Sequence, residues 1–141
     1  MFARDILDPD FISLKGDVSA LEAARAMKDR RHGFVIVMSP DSKPEGIVTE
    51  WDLLSKITAE GKDPSNVLLR DVMSTGLITV RESDGVDEVA KLMAEREIRR
   101  VLVMRDGKIV GIITAKQILA RLEDYINTIS TQIARLHTQA F

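Results

Sequence analysis

Gly46-Ile47-Val48-Thr49-Glu50-Trp51-Asp52-Leu53-Leu54 is the stretch whose reading decides the fold. A β-branched apolar run ends at Thr49, and a helix starts after it with Asp52 in its first turn and Leu53-Leu54 as its first apolar positions. The spacing predicts a strand-to-helix corner carrying a hydroxyl and a carboxylate three residues apart. Two roles are open to that pair. In one, Thr49 caps the helix and Asp52 completes a capping box. In the other, the corner serves a ligand, because helix N-termini attract anions and a carboxylate accepts hydrogen bonds from ligand hydroxyls.

The corner occurs twice. Gly111-Ile112-Ile113-Thr114-Ala115-Lys116-Gln117-Ile118-Leu119 repeats it, with Gln117 in the place of Asp52. The same register extends outward. Asp5-Ile6-Leu7 matches Asp71-Val72-Met73, and Phe11-Ile12-Ser13-Leu14 matches Leu77-Ile78-Thr79-Val80. Ala23-Ala24-Arg25-Ala26-Met27 matches Val89-Ala90-Lys91-Leu92-Met93, and Val35-Ile36-Val37-Met38 matches Val101-Leu102-Val103-Met104. Only the turn at 40–44 is longer than its counterpart at Asp106-Gly107. The chain is a tandem duplication.

Within each copy the order reads β-α-β-β-α. Strands are expected at 11–14, 33–38 and 46–49, then at 77–80, 99–104 and 108–114. Helices are expected at 18–31, 50–59, 84–97 and from 115 almost to the end. The runs at 33–38 and 99–104 are too short for helices and apolar throughout, as in strands buried on both faces. One such unit cannot bury its own sheet, so the expected fold is α/β (α+β), two units packed with pseudo-twofold symmetry. The expected division is a first unit at 1–62, a linker at 63–70, a second unit at 71–124 and an extension of the last helix at 125–141. That last helix carries Leu119, Leu122, Ile126, Ile129, Ile133, Leu136 and Ala140 at alternating three- and four-residue steps. This is a heptad seam, for which a homodimer is the simplest cover.

Composition narrows the chemistry. A net charge of −2 over 141 residues gives no electrostatic footprint for nucleic acid. The absence of cysteine removes disulfides, thiolate nucleophiles and thiolate metal sites. His32 and His137 lie in unlike settings, so no metal site is expected. No apolar run reaches membrane-spanning length and no signal peptide is visible, so a cytoplasmic protein is expected. No nucleophile–base pair or phosphate loop appears either, and catalysis is not expected. Trp51, in the corner itself, is read as a packing anchor for its helix, with stacking on a base as the alternative.

Two β-α-β-β-α units that each carry Gly-apolar-apolar-Thr-x-x-(Asp/Gln)-apolar-apolar resemble a tandem pair of cystathionine-β-synthase (CBS) domains, a stand-alone Bateman module. The resemblance covers residues 1–124. It implies a regulatory module binding an adenosine derivative between the repeats: AMP in the first place, ADP or ATP next, and less often S-adenosylmethionine or dinucleotides. It assigns the ribose hydroxyls to Asp52, with Thr49 near the ribose-phosphate end. The base falls to Ile47, Leu77 and Ile78, with Met73 and Thr79 nearby, and the phosphate to Arg99-Arg100. The alternative reading of the arginine pair is a solvated strand end paired with Glu95 or Glu97.

The symmetry-related site, at Thr114, Gln117 and Ile12, is poorer. Neutral hydrogen bonds from Gln117 replace charge-assisted ones, a loss of about 1–2 kcal/mol. His32-Gly33-Phe34 also stands where the other repeat has Ile98-Arg99-Arg100. One nucleotide per chain is expected, acting on an unidentified regulated protein. A ligand-independent dimerising scaffold is the competing reading.

Overall fold

The computed structural model describes residues 1–138; Ala140 of the expected seam lies outside them. The elements run α1 (Ala3–Ile6), β1 (Ser13–Lys15), α2 (Ala20–Arg30), β2 (Phe34–Met38), β3 (Pro44–Thr49) and α3 (Glu50–Leu53), which continues as a π-helical turn over Leu54–Thr58. After a 3₁₀ turn at Pro64–Asn66 come α4 (Leu69–Val72), β4 (Thr79–Arg81), α5 (Val86–Arg96), β5 (Arg100–Arg105), β6 (Lys108–Thr114) and α6 (Ala115–His137). The two copies build two three-stranded sheets, ordered β1-β2-β3 and β4-β5-β6. In each, the first pair is parallel and the second antiparallel.

The period-two alternation of β2 and β5 explains why both strands are apolar throughout. Val35 and Val37 face the first unit's helices, and Val101 and Val103 face the second's. Ile36 and Leu102, which are equivalent in the duplication, point the other way and meet with Ile112 between the two sheets. Each unit thereby covers the sheet face that its partner leaves open, as the duplication predicts.

The segment ahead of each repeat packs on the other one. Ala3 and Ile6 of α1 belong to the core of the second unit, and Leu69 and Val72 of α4 belong to that of the first. The exchange is hydrogen-bonded: the Asp8 amide donates to the Ile112 carbonyl at 2.8 Å, and the Ile47 amide to the Ser74 carbonyl at 3.0 Å. It also accounts for the glycine that opens each motif. A Cβ on Gly46 would lie 2.8 Å from the Ser74 carbonyl oxygen, and one on Gly111 would lie 2.9 Å from that of Asp8. Only a hydrogen fits where these backbones cross.

Several expected boundaries move. The first strand of each sheet starts at residue 13 or 79 rather than 11 or 77, because Phe11 and Leu77 are drawn into the packing between the sheets. The helix expected over 50–59 is α-helical for one turn and then widens, with the Ala59 amide donating to Leu54. At the widening, Ser55 Oγ donates back to the Trp51 carbonyl at 2.7 Å, a bond that competes with regular helix geometry. Among the described residues, no helix is long and apolar enough to cross a membrane.

Candidate functional site

The first corner forms a complete capping box. The Thr49 amide donates to Asp52 Oδ2 at 2.8 Å, the Thr49 hydroxyl to the same oxygen at 3.1 Å, and the Asp52 amide to Thr49 Oγ1 at 3.3 Å. Asp52 is 6% exposed, and a carboxylate so buried requires a counter-charge. Lys56, one turn along the widened helix, places Nζ 2.9 Å from Asp52 Oδ1. The same ammonium donates to the Val72 carbonyl at 2.8 Å. Lys56 thus ties the corner to α4, the exchanged segment of the other repeat.

Beside this corner, between the repeats, opens a cleft of about 540 Å³. One wall comes from the first unit, with Gly33, Ile47, Thr49, Glu50 and Trp51; the other carries Thr75, Gly76, Leu77, Ile78, Ile98, Arg99, Arg100 and Leu102. Of the residues expected from the sequence, Ile47, Thr49, Leu77, Ile78, Arg99 and Arg100 therefore meet around one space. Asp52 stands behind Thr49, off the wall. Met73 packs against the first core beneath Gly46, and Thr79 lies exposed on β4.

Arg100 is the least satisfied group in the cleft. It is half-buried, its Nε has no hydrogen-bond partner, and its guanidinium lies 4.5 Å from the centroid of the Phe34 ring. Burial lowers its pKa, because desolvation penalises the charged form. Among the described residues neither Arg99 nor Arg100 forms an ion pair. Glu95, one of the acids considered as a partner, faces Lys91 at 3.9 Å instead.

Trp51 overturns its expected role. At 69% exposure it anchors no core and instead presents its ring at the cleft. Sequence reasoning also missed Glu50, Thr75, Gly76, Ile98 and Leu102 as wall residues. The signal available for them was the repeat register, which sets the turn before β4 opposite the first motif.

The second corner repeats the capping box with a neutral side chain: the Thr114 amide donates to Gln117 Oε1 at 2.8 Å. Ile12, expected in its cleft, is buried in the first core. Where the first cleft has Gly76 and Ile98, the equivalent positions hold Asp10 and His32. Asp10 hydrogen-bonds Arg30 and lies 3.3 Å from His32 Nε2. The Arg30 hydrogen bond is the main reason its carboxyl sits below the ordinary aspartate value.

A family model described as CBS domain matches residues 3–59 and 69–124. An uncharacterized protein of Methanopyrus kandleri is 39% identical over 118 residues, spanning 83% of this chain and 60% of that protein. A homoserine O-acetyltransferase of Methanohalobium evestigatum is 26% identical over 125 residues, spanning 88% of this chain and 24% of that enzyme. The chain thus covers less than two thirds of the length of either relative. Among solved structures, a CBS domain pair in complex with 5′-methylthioadenosine and S-adenosyl-L-methionine matches with a TM-score of 0.72 and 29% identity. That match covers 86% of this chain and 98% of the other.

Proposed function

This chain belongs to the CBS domain family, and from that premise we propose that it is a cytoplasmic regulatory module binding one adenine nucleotide, AMP ahead of ADP or ATP, in the cleft beside Thr49. The observation that carries the reading is Arg100, a half-buried cation that has no anionic partner among the described residues, on the same wall as Arg99, which forms no ion pair among them either. A guanidinium fork matches phosphate oxygens, and a phosphate would offset the desolvation that Arg100 bears in the cleft. Ile47, Leu77 and Ile78 supply an apolar slot for a flat base, with the Trp51 ring at its edge. The ribose falls next to Thr49, whose amide and hydroxyl are held from behind by Asp52 Oδ2, with Lys56 on Oδ1. A cleft of about 540 Å³ is within the ordinary range of small-molecule sites.

The solved relative that holds two adenosine compounds supports the ligand class. It leaves S-adenosylmethionine as the competitor, a ligand that lacks phosphate and carries a sulfonium cation. Two unpaired arginines repel that cation and attract AMP. Ligand binding regulates only through unequal affinity for two arrangements of the module or of the protein it controls.

Calorimetric titration with AMP, ADP, ATP, adenosine and S-adenosylmethionine tests the reading. AMP is expected to bind tightest. Arg100→Met is expected to weaken AMP by roughly 1.5–3 kcal/mol while leaving adenosine nearly unchanged. Tighter binding of S-adenosylmethionine than of AMP would overturn the nucleotide preference. Heat from none of the five would leave the corner as a helix cap and the chain as a dimerising scaffold.

A further inference from the structure

Phe34 and Arg100 occupy equivalent positions of the duplication, and they touch across it. Phe34 opens β2 opposite Thr49, and Arg100 opens β5 opposite Thr114. Directly opposed residues of an antiparallel pair share a sheet face. Phe34 therefore belongs to the Thr49 corner's own strand pair, on the face that packs against the other sheet. There the Arg100 guanidinium lies over the Phe34 ring, with Cζ 4.5 Å from its centroid. Where the second repeat has a cation the first has an aromatic ring, and the ring holds the cation.

We propose that Phe34 is a positioning residue for the nucleotide site: its ring fixes the Arg100 guanidinium in the place where it meets a phosphate beside Thr49. The inference rests on the nucleotide reading above and adds to it a residue that stands behind the cleft wall.

Direction is the first argument. A guanidinium is attracted to an aromatic ring through its flat face, whereas its N–H donors lie in its own plane. Stacking on Phe34 therefore leaves those donors available, and Nε has no partner. The surrounding carboxylates give the second. Glu50 lines the same cleft, yet among the described residues it forms no hydrogen bond or ion pair with Arg100. Asp52 is engaged by Lys56 at 2.9 Å. The ring thus holds Arg100 without neutralising it, which suits a cation kept for an incoming anion.

Arg99 supplies the contrast. One residue earlier and exposed, it has no aromatic ring beneath it among the described residues. A side chain that is already held loses less freedom when a ligand binds. Arg100 is accordingly the prepared phosphate donor and Arg99 the adjustable one. Because Phe34 is paired with Thr49 along β2 and β3, the ring also sets where a cation of one repeat stands relative to the corner of the other.

Calorimetry of AMP binding to the parent, Phe34→Leu, Arg100→Met and the double variant tests the proposal, with circular dichroism to verify the fold of each. Leucine keeps an apolar side chain and removes the ring. Phe34→Leu is expected to weaken AMP about tenfold, and to weaken it no further once Arg100 is replaced. Phe34→Tyr, which keeps the ring, is expected to bind AMP as the parent does. Should Phe34→Leu fail to fold, Phe34→Met takes its place with the same expectations. An equal loss in both backgrounds would make Phe34 a packing residue and overturn the proposal, as would unchanged AMP binding in Phe34→Leu or a Phe34→Tyr variant as weak as Phe34→Leu. In those cases the parent still binds AMP and the nucleotide reading stands. A parent that binds no AMP would instead overturn that reading, and the proposal with it.

Discussion

At the Thr49 corner the third helical residue is a buried carboxylate held by Lys56, and the neighbouring wall carries Arg99 and Arg100. At the Thr114 corner the same position is Gln117, and the places equivalent to Gly76 and Ile98 are taken by Asp10 and His32. The backbone treats the two corners alike: both close a capping box, and both lean on a short helix donated by the other repeat. Lys56 and its counterpart Arg121 even reach equivalent exchanged helices, α4 and α1, through the carbonyls of Val72 and Asp5. The duplication keeps the scaffold symmetric and lets the charges diverge. Symmetry marks what folding needs, and the proposed nucleotide site is the corner at which the charges depart from it.

Changes to the scaffold should therefore act equally on both repeats, and changes to the charges unequally. The largest effect is expected from Gly46→Ala and Gly111→Ala, each of which drives a methyl group into the exchanged backbone. Each should cost about 2–3 kcal/mol in urea denaturation. A loss at one glycine alone would break the claim of equivalent crossings.

Next comes the cation that follows each motif. Lys56→Met removes a partner from a carboxylate whose side chain is 8% exposed and should destabilise by about 1–2 kcal/mol. Arg121→Met loses one exposed 3.4 Å contact and should stay within about 0.5 kcal/mol. Equal costs at 56 and 121 would mean that the Asp52 pairing adds nothing.

The smallest effect belongs to Asp10. Its carboxyl is depressed below 3.8 in the folded protein, so its stabilisation is complete above that value and disappears as pH falls through the lower folded value. The melting temperature of Asp10→Asn should lie slightly below that of the parent at pH 7. The gap should close in strong acid. A gap that persists there would assign the effect to packing rather than charge.

Much of this was legible in the sequence, for identifiable reasons. The alternating faces of Val35-Ile36-Val37 and Val101-Leu102-Val103 follow from strand periodicity, and the seam of α6 from its heptads. The exchange of α1 and α4 was not legible. Ala3, Ile6, Leu69 and Val72 present the same apolar pattern whichever unit they cover, and periodicity names a face but not its partner. The i,i+4 spacing of Asp52 and Lys56 was in plain view, yet a pair of that kind on an exposed helix is ordinary. Only burial gives it weight. Trp51 was misjudged because large aromatic side chains usually fill cores, and its exposure depends on where the other repeat sits. Arg99 and Arg100 were set across from the Asp52 corner by the resemblance to CBS pairs, since strand periodicity alone does not say which repeat's strand faces that corner.

On the proposed reading, the Asp52 corner holds the nucleotide and the Gln117 corner does not. Calorimetry of AMP binding to the parent, Asp52→Ala and Gln117→Ala tests it most directly. One nucleotide per chain is predicted for the parent, weakened by roughly 2–3 kcal/mol in Asp52→Ala and essentially unchanged in Gln117→Ala. Two equivalent nucleotides per chain, or a loss that follows Gln117 instead of Asp52, would overturn the assignment of the site to the Asp52 corner.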